Sequence, residues 1–121
     1  MTVHALVAKL PCNDLDASEA FYARLGFVRS GGDGGYRILV DGKGGELHLM
    51  QAVEGWLIPG RNPFGLYLRA ENVDGLAAGL ADLLLHPPKA QPWGMYEFAM
   101  SDPDETLVQV GWPIEPPAVA G

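Results

Sequence analysis

Few side chains in this sequence could do chemistry, and their spacing limits what that chemistry is. The histidines are His4, His48 and His86, and the cysteine is Cys12. No Ser-His-Asp or Cys-His arrangement has local support, so covalent catalysis lacks a nucleophile held beside its base. A lone cysteine excludes an internal disulfide framework and a multi-cysteine zinc site, and Cys12 reads as buried filler. Asp102 and Asp104 pair up within "SDPDET", but a tight turn should keep them solvated and ordinary. The stretches "SGGDGGY" and "DGKGGE" lack the Lys-Ser/Thr or helix start of a phosphate loop and read as hairpin turns. What remains is aromatic and polar. Trp93 sits in "QPWG", and Trp56 and Tyr36 lie in or beside Pro- and Gly-rich links. His48, Met50, Tyr67, Arg69 and Gln109 fall within strand patterns. Such residues suit a small-molecule cleft, where apolar walls carry a few hydrogen-bonding groups. An indole there can stack on a planar or cationic ligand, or simply pack at a strand end or a dimer contact.

The elements that must position these residues repeat. "HALVAKLPC" reads as a strand and "LDASEAFYARLGF" as a helix, with Asp14 or Asp16 as N-cap and Gly26 as the stop. Further strands, "RILV" and "ELHLMQ", are separated by the glycine-rich turns, giving the order βαβββ. After "VEGWLIPGRNP" the order begins again. "FGLYLRA" is a strand, and "NVDGLAAGLADLLLH" a helix opened by Asn72, which leaves His86 beside the last carbonyls of that helix. "KAQPW", "MYEFAMS" and "TLVQVGW" complete the set, with "DPDE" as the last tight turn. The expected organisation is a first module over 1–52, a linker over 53–63, a second module over 64–112 and an irregular tail over 113–121, all one structural domain.

Strand alternation assigns faces. Ala5, Val7 and Lys9 share a side, as do Glu46, His48 and Met50, then Gly65, Tyr67 and Arg69, then Leu107 and Gln109. The opposite residues, Leu47 and Leu49, Leu66 and Leu68, Val108 and Val110, are aliphatic and suit packing under helices. At 121 residues and 48% hydrophobic the chain can bury a real core. Its 15 acidic against 8 basic residues, net −7, disfavour nucleic acid and anionic lipid and favour cationic ligands. No apolar run approaches a membrane span and the start lacks a signal-peptide pattern, so a cytoplasmic protein is the expectation.

The segments "NDLDASEAFYARLGF" and "PWGMYEFAMSDPDETLVQV" resemble the vicinal oxygen chelate superfamily, which includes glyoxalase I, extradiol dioxygenases and bleomycin-resistance proteins. Asp14-Leu15-Asp16, Phe21-Tyr22 and Leu25-Gly26-Phe27 fall in step with its opening pattern, and Pro92-Trp93-Gly94, Phe98 and Asp102-Pro103 with its closing one. Glu105 departs from the glycine usual in that turn. The resemblance implies an α+β fold in which two βαβββ modules form a curved mixed sheet with helices on the convex side. It is nearest to bleomycin-resistance proteins, small acidic dimers that sequester a drug without altering it.

The superfamily's enzymes hold a metal on four inward positions, and the resemblance places these at Val7, His48, Gly65 and Gln109. Val7 and Gly65 have no donor, and His4 lies on the opposite strand face from Val7. His48 and Gln109 remain as fallback metal candidates, short of the three protein ligands a catalytic ion needs. The expectation is a non-catalytic, cofactor-free homodimer whose clefts bind a cationic or aromatic small molecule. Its candidate contacts are Trp93, His48, Met50, Tyr67, Arg69, Gln109, Tyr36 and Trp56. The alternative is a metal-dependent glyoxalase-type lyase or dioxygenase using His48 and Gln109.

Overall fold

The computed structural model describes residues 2–114. Its elements run β1 (Ala8–Cys12), α1 (Leu15–Ala23), β2 (Val28–Gly32), β3 (Tyr36–Val40) and β4 (Glu46–Gln51), then β5 (Gly65–Arg69), α2 (Val73–Ala78), β6 (Leu84–Ala90), β7 (Met95–Ser101) and β8 (Leu107–Pro113). This is an α+β chain of two βαβββ modules, each with a four-stranded mixed sheet. The strand orders are β1-β4-β3-β2 and β5-β8-β7-β6, with the first pair of each sheet parallel and the rest antiparallel. Two compact units result: Met1–Asn62 with Pro103–Glu105, and Pro63–Asp102 with Thr106–Gly121.

Alternation along the strands builds each core as expected. Leu39, Leu47 and Leu49 are buried in the first unit with Leu15, Phe21, Tyr22 and Phe27; Phe98, Met100, Val108 and Val110 are buried in the second with Val73, Ala77 and Leu80. Each fully buried large side chain contributes about 1.5–3 kcal/mol through the hydrophobic effect. The helix starts follow the capping residues: the Asp14 carboxylate accepts from Ala17 N at 3.1 Å, and the Asn72 side-chain oxygen accepts from Gly75 N at 3.2 Å. Gly26 ends the first helical segment at φ +96°, which a Cβ would resist. Cys12 is buried, as expected of filler.

Five expectations need correction. The first strand starts at Ala8, not His4: its parallel pairing with β4 begins at Ala8 opposite Leu47, and Ala5 and Val7 precede it. The second helix stops at Ala78, since Gly75 and Gly79 weaken it by about 1 kcal/mol each, and Leu84–Ala90 instead pairs with β7. That strand is the sheet edge, where Pro87 and Pro88 are tolerated across register shifts. His86 therefore lies in a strand, its Nδ1 2.8 Å from Pro87 O, rather than at a helix end. Gln91–Gly94 is a turn, with Gln91 N donating to Met95 O at 2.8 Å, so "KAQPW" is strand only through Ala90. Asp102 is buried rather than solvated: its carboxylate accepts from Thr106 N at 2.9 Å and closes the last hairpin. Next in that turn, Glu105 adopts φ +66°, the left-handed region that costs a non-glycine residue about 1–2 kcal/mol. Its carboxylate accepts from Gly60 N at 2.5 Å. Of the tail, Pro113 belongs to β8, and residues 115–121 lie outside the described residues.

Candidate functional site

In the first unit, the antiparallel register places Tyr36 opposite Met50 and Ile38 opposite His48, while the parallel register sets Lys9 beside His48. These side chains share the sheet face away from α1. The Tyr36 hydroxyl lies 2.7 Å from His48 Nδ1, and His48 Nε2 lies 2.7 Å from Glu46 Oε2. A neutral imidazole satisfies both contacts, with Nε2–H donating to the carboxylate and Nδ1 accepting from the phenol. The two rings meet edge to face at 5.4 Å, and the Lys9 ammonium stands 5.6 Å from the Tyr36 ring centroid. Tyr36, His48 and Met50 are thus brought together, with Tyr36 on a strand rather than in a link.

In the second unit, parallel pairing sets Tyr67 beside Gln109, and the hairpin register sets Ala99 opposite Gln109 and Glu97 opposite Gly111. Glu97 is 0% exposed. Its carboxylate accepts from Trp93 Nε1 at 2.6 Å and from Gln109 Nε2 at 2.9 Å, one oxygen to each. The Tyr67 hydroxyl stands beside it across Gly111. This approach depends on Gly111, where a Cβ would collide with that hydroxyl and stand 2.7 Å from Glu97 Cβ. Burial, then the negative charge of Glu97, pushes the Tyr67 phenol above its ordinary range, partly offset by Arg69. Trp93 is 63% exposed, so its polar edge is pinned to a buried acceptor while its ring faces solvent. An exposed apolar ring held in one orientation is a preorganised stacking surface.

The structure therefore joins Trp93, Tyr67 and Gln109 around a residue that the sequence reading passed over. The signal was present: counting back across the Asp102–Glu105 turn puts Glu97 on the same strand face as Gln109, a charge inside an otherwise apolar strand. Arg69 ends β5 opposite Gly111, on the same face as Tyr67. Trp56 stays outside both clusters, 57% exposed on the connection before β5, with its backbone N–H on Val53 O. A cavity of about 240 Å3 opens on the helix-bearing side of the second sheet, lined by Asp74, Tyr96 and Trp112 among others. Its Tyr96 hydroxyl donates to Asp74 at 2.5 Å, and none of the candidate ligand contacts lines it.

The donor set does not fit a resident metal. Both ring nitrogens of His48 are engaged within its own module, Gln109 is committed to Glu97, and Gly65 offers no side chain. The parallel-strand neighbours of His48 and Gln109 are Lys9 and Tyr67, an ammonium and a phenol. Among the described residues no three His, Cys, Asp or Glu side chains gather as a metal group.

Paired βαβββ units with this strand order define a protein of the vicinal oxygen chelate superfamily. No family model matches the chain. The bleomycin resistance protein of Klebsiella pneumoniae is 32% identical over 111 residues, 84% of this chain and 86% of that one. The solved structure of a bleomycin-binding protein complexed with bleomycin superposes with a TM-score of 0.77 at 29% identity, over 92% of this chain and 98% of the other. That of a bleomycin resistance determinant encoded on transposon Tn5 gives 0.79 at 27% identity, with the same coverage. The chain belongs to the bleomycin resistance protein family. Among the described residues, no helix is long and apolar enough to cross a membrane.

Proposed function

We propose that this protein binds a planar, cationic small molecule of the bleomycin type and sequesters it without chemical change. The observation that carries this reading is Trp93, an exposed indole whose N–H is anchored on the buried Glu97 carboxylate. A fixed aromatic face beside a negative charge suits a flat cation, through stacking and cation–π attraction together. The relatives named for bleomycin resistance and bleomycin binding support the same ligand class. The chain charge of −7 adds long-range attraction that salt weakens. We further place this binding in a cytoplasmic homodimer in which each copy helps complete the other's cleft, with His48, Met50, Tyr36 and Arg69 as additional contacts. Exposed apolar side chains such as Phe64 and Leu107 on the second unit are consistent with a partner surface.

Titration of the purified protein with bleomycin, followed by tryptophan fluorescence, tests the proposal. Saturation at one or two drug molecules per dimer is expected, with affinity falling as salt rises and lost in Trp93→Ala. A flat titration at millimolar drug, with folded protein, sinks the ligand assignment. A monomer by light scattering at the working concentration sinks the dimer.

A further inference from the structure

The Glu97 carboxylate is satisfied in number but not in charge. Its two hydrogen-bond partners, the Trp93 indole and the Gln109 amide, are neutral donors, and the group beside it across Gly111, the Tyr67 phenol, is neutral too. Among the described residues it forms no ion pair, whereas Arg29 and Arg37 pair with Glu19, and Arg37 also with Asp16. Two cations stand nearby in register and leave it unpaired: Lys89 opposite it on the edge strand, and Arg69 across Gly111. A buried carboxylate without a counter-charge is costly, so a positive charge brought to it is favoured. The charge is felt at the surface, since it helps hold the Tyr67 phenol protonated.

Geometry sets where a counter-charge would come from. The indole nitrogen is 2.6 Å from Glu97 Oε1 and the ring is open to solvent. A planar group stacked on that ring at van der Waals separation lies about 4–5 Å from the carboxylate. We infer that Glu97 is the specificity-determining residue of this face: it selects cationic over neutral planar ligands, the ligand's charge supplying the partner that the fold withholds. Trp93 supplies the contact area and Glu97 the discrimination. This rests on the stacking role given to Trp93 above, and it deepens that reading by naming the residue that discriminates the ligand's charge.

The test compares two probes of one shape, 1-methylquinolinium and quinoline at pH 8, where quinoline is neutral. Binding to the full chain is read from the Trp93 indole N–H resonance, assigned with Trp93→Phe. Wild type should bind the cation roughly tenfold more tightly than the neutral ring. Glu97→Gln keeps an acceptor for the indole and removes the charge; it should lose most of that preference, with quinoline affinity and the indole resonance little changed. Trp93→Ala, which lacks that resonance and is read instead from broadening of the probes' own proton signals, should weaken both probes alike. The inference is overturned if wild type shows no preference or binds neither probe, or if Glu97→Gln retains the preference, which would assign the selection to other charges. Should Glu97→Gln fail to fold, Glu97→Asp decides: the preference must survive there while the indole resonance shifts, and its loss overturns the inference. Bleomycin titrated in parallel separates the two readings. Charge selection between the quinoline probes with no response to bleomycin removes the drug assignment and leaves the role of Glu97 standing.

Discussion

The His48 and Glu97 clusters occupy matching sheets of the two modules and treat charge in opposite ways. Around His48 every polar group has an answering one: phenol to imidazole, imidazole to Glu46, and the Lys9 ammonium near the same ring. The charges there are partly exposed, so water shares the work. Around Glu97 the charge is fully buried and only neutral groups answer it. Repeating a topology has therefore not repeated a chemistry. A closed cluster leaves a ligand contact surface but no unanswered charge, whereas an unbalanced one beside an exposed indole leaves both.

If that contrast is right, removing each cluster's central residue should hurt unequally. Glu97→Ala leaves the Gln109 amide and the Trp93 indole without their acceptor and opens a void, so a loss of about 3 kcal/mol is expected. Urea unfolding measures it, and a loss below about 1 kcal/mol would mean that water already reaches the carboxylate. Gly111→Ala attacks the same cluster from the backbone. The new methyl meets the Tyr67 hydroxyl, Glu97 Cβ and, at 2.9 Å, the immovable Tyr96 carbonyl, so about 2 kcal/mol should be lost and the Trp93 resonance displaced. His48→Ala, by contrast, frees Tyr36 and Glu46 to hydrate and should cost only about 1 kcal/mol. An equal or larger loss than for Glu97→Ala would reverse the comparison.

Much of this was legible in local pattern. Leu47 and Leu49, Val108 and Val110 alternate with polar residues, and that period of two fixes both the core face and the candidate face. Asp14 and Asn72 announce helix starts because their side chains bond the first free N–H groups. Where pairing decided, local pattern failed. Leu80, Leu83 and Leu84 keep a helical spacing, yet Leu84 pairs with Met100 at the sheet edge, a preference visible only once β7 is in place. Likewise residues 4–7 look like strand, but the parallel pairing with β4 begins only at Ala8, opposite Leu47. Glu97 was readable by counting across the last turn, but its burial was not, since that depends on Tyr67 and Trp93 arriving from other elements.

The smallest expected effect sharpens the comparison on the first unit's side. Glu19 on α1 bonds Arg29 through both carboxylate oxygens, and one of these oxygens also meets Arg37 at 3.0 Å. The Arg29 hydrogen bonds hold the carboxyl below its usual value of 4.5; partial burial works against this, and the charges of Arg29 and Arg37 add to it. Because the folded value is the lower one, the stabilisation is present above about pH 4.5 and is lost as pH falls through the folded value. Solvent screens the exposed Arg29, so Glu19→Gln should lower Tm by no more than about 2 °C at pH 7. In acid that gap should close, because a protonated Glu19 and a glutamine are alike uncharged. Thermal melts of both proteins across this range, repeated in high salt, measure it. A gap that persists at low pH would make the contact one of shape rather than charge. A gap several-fold larger at neutral pH would mean that the first unit, too, holds a carboxylate sheltered from water.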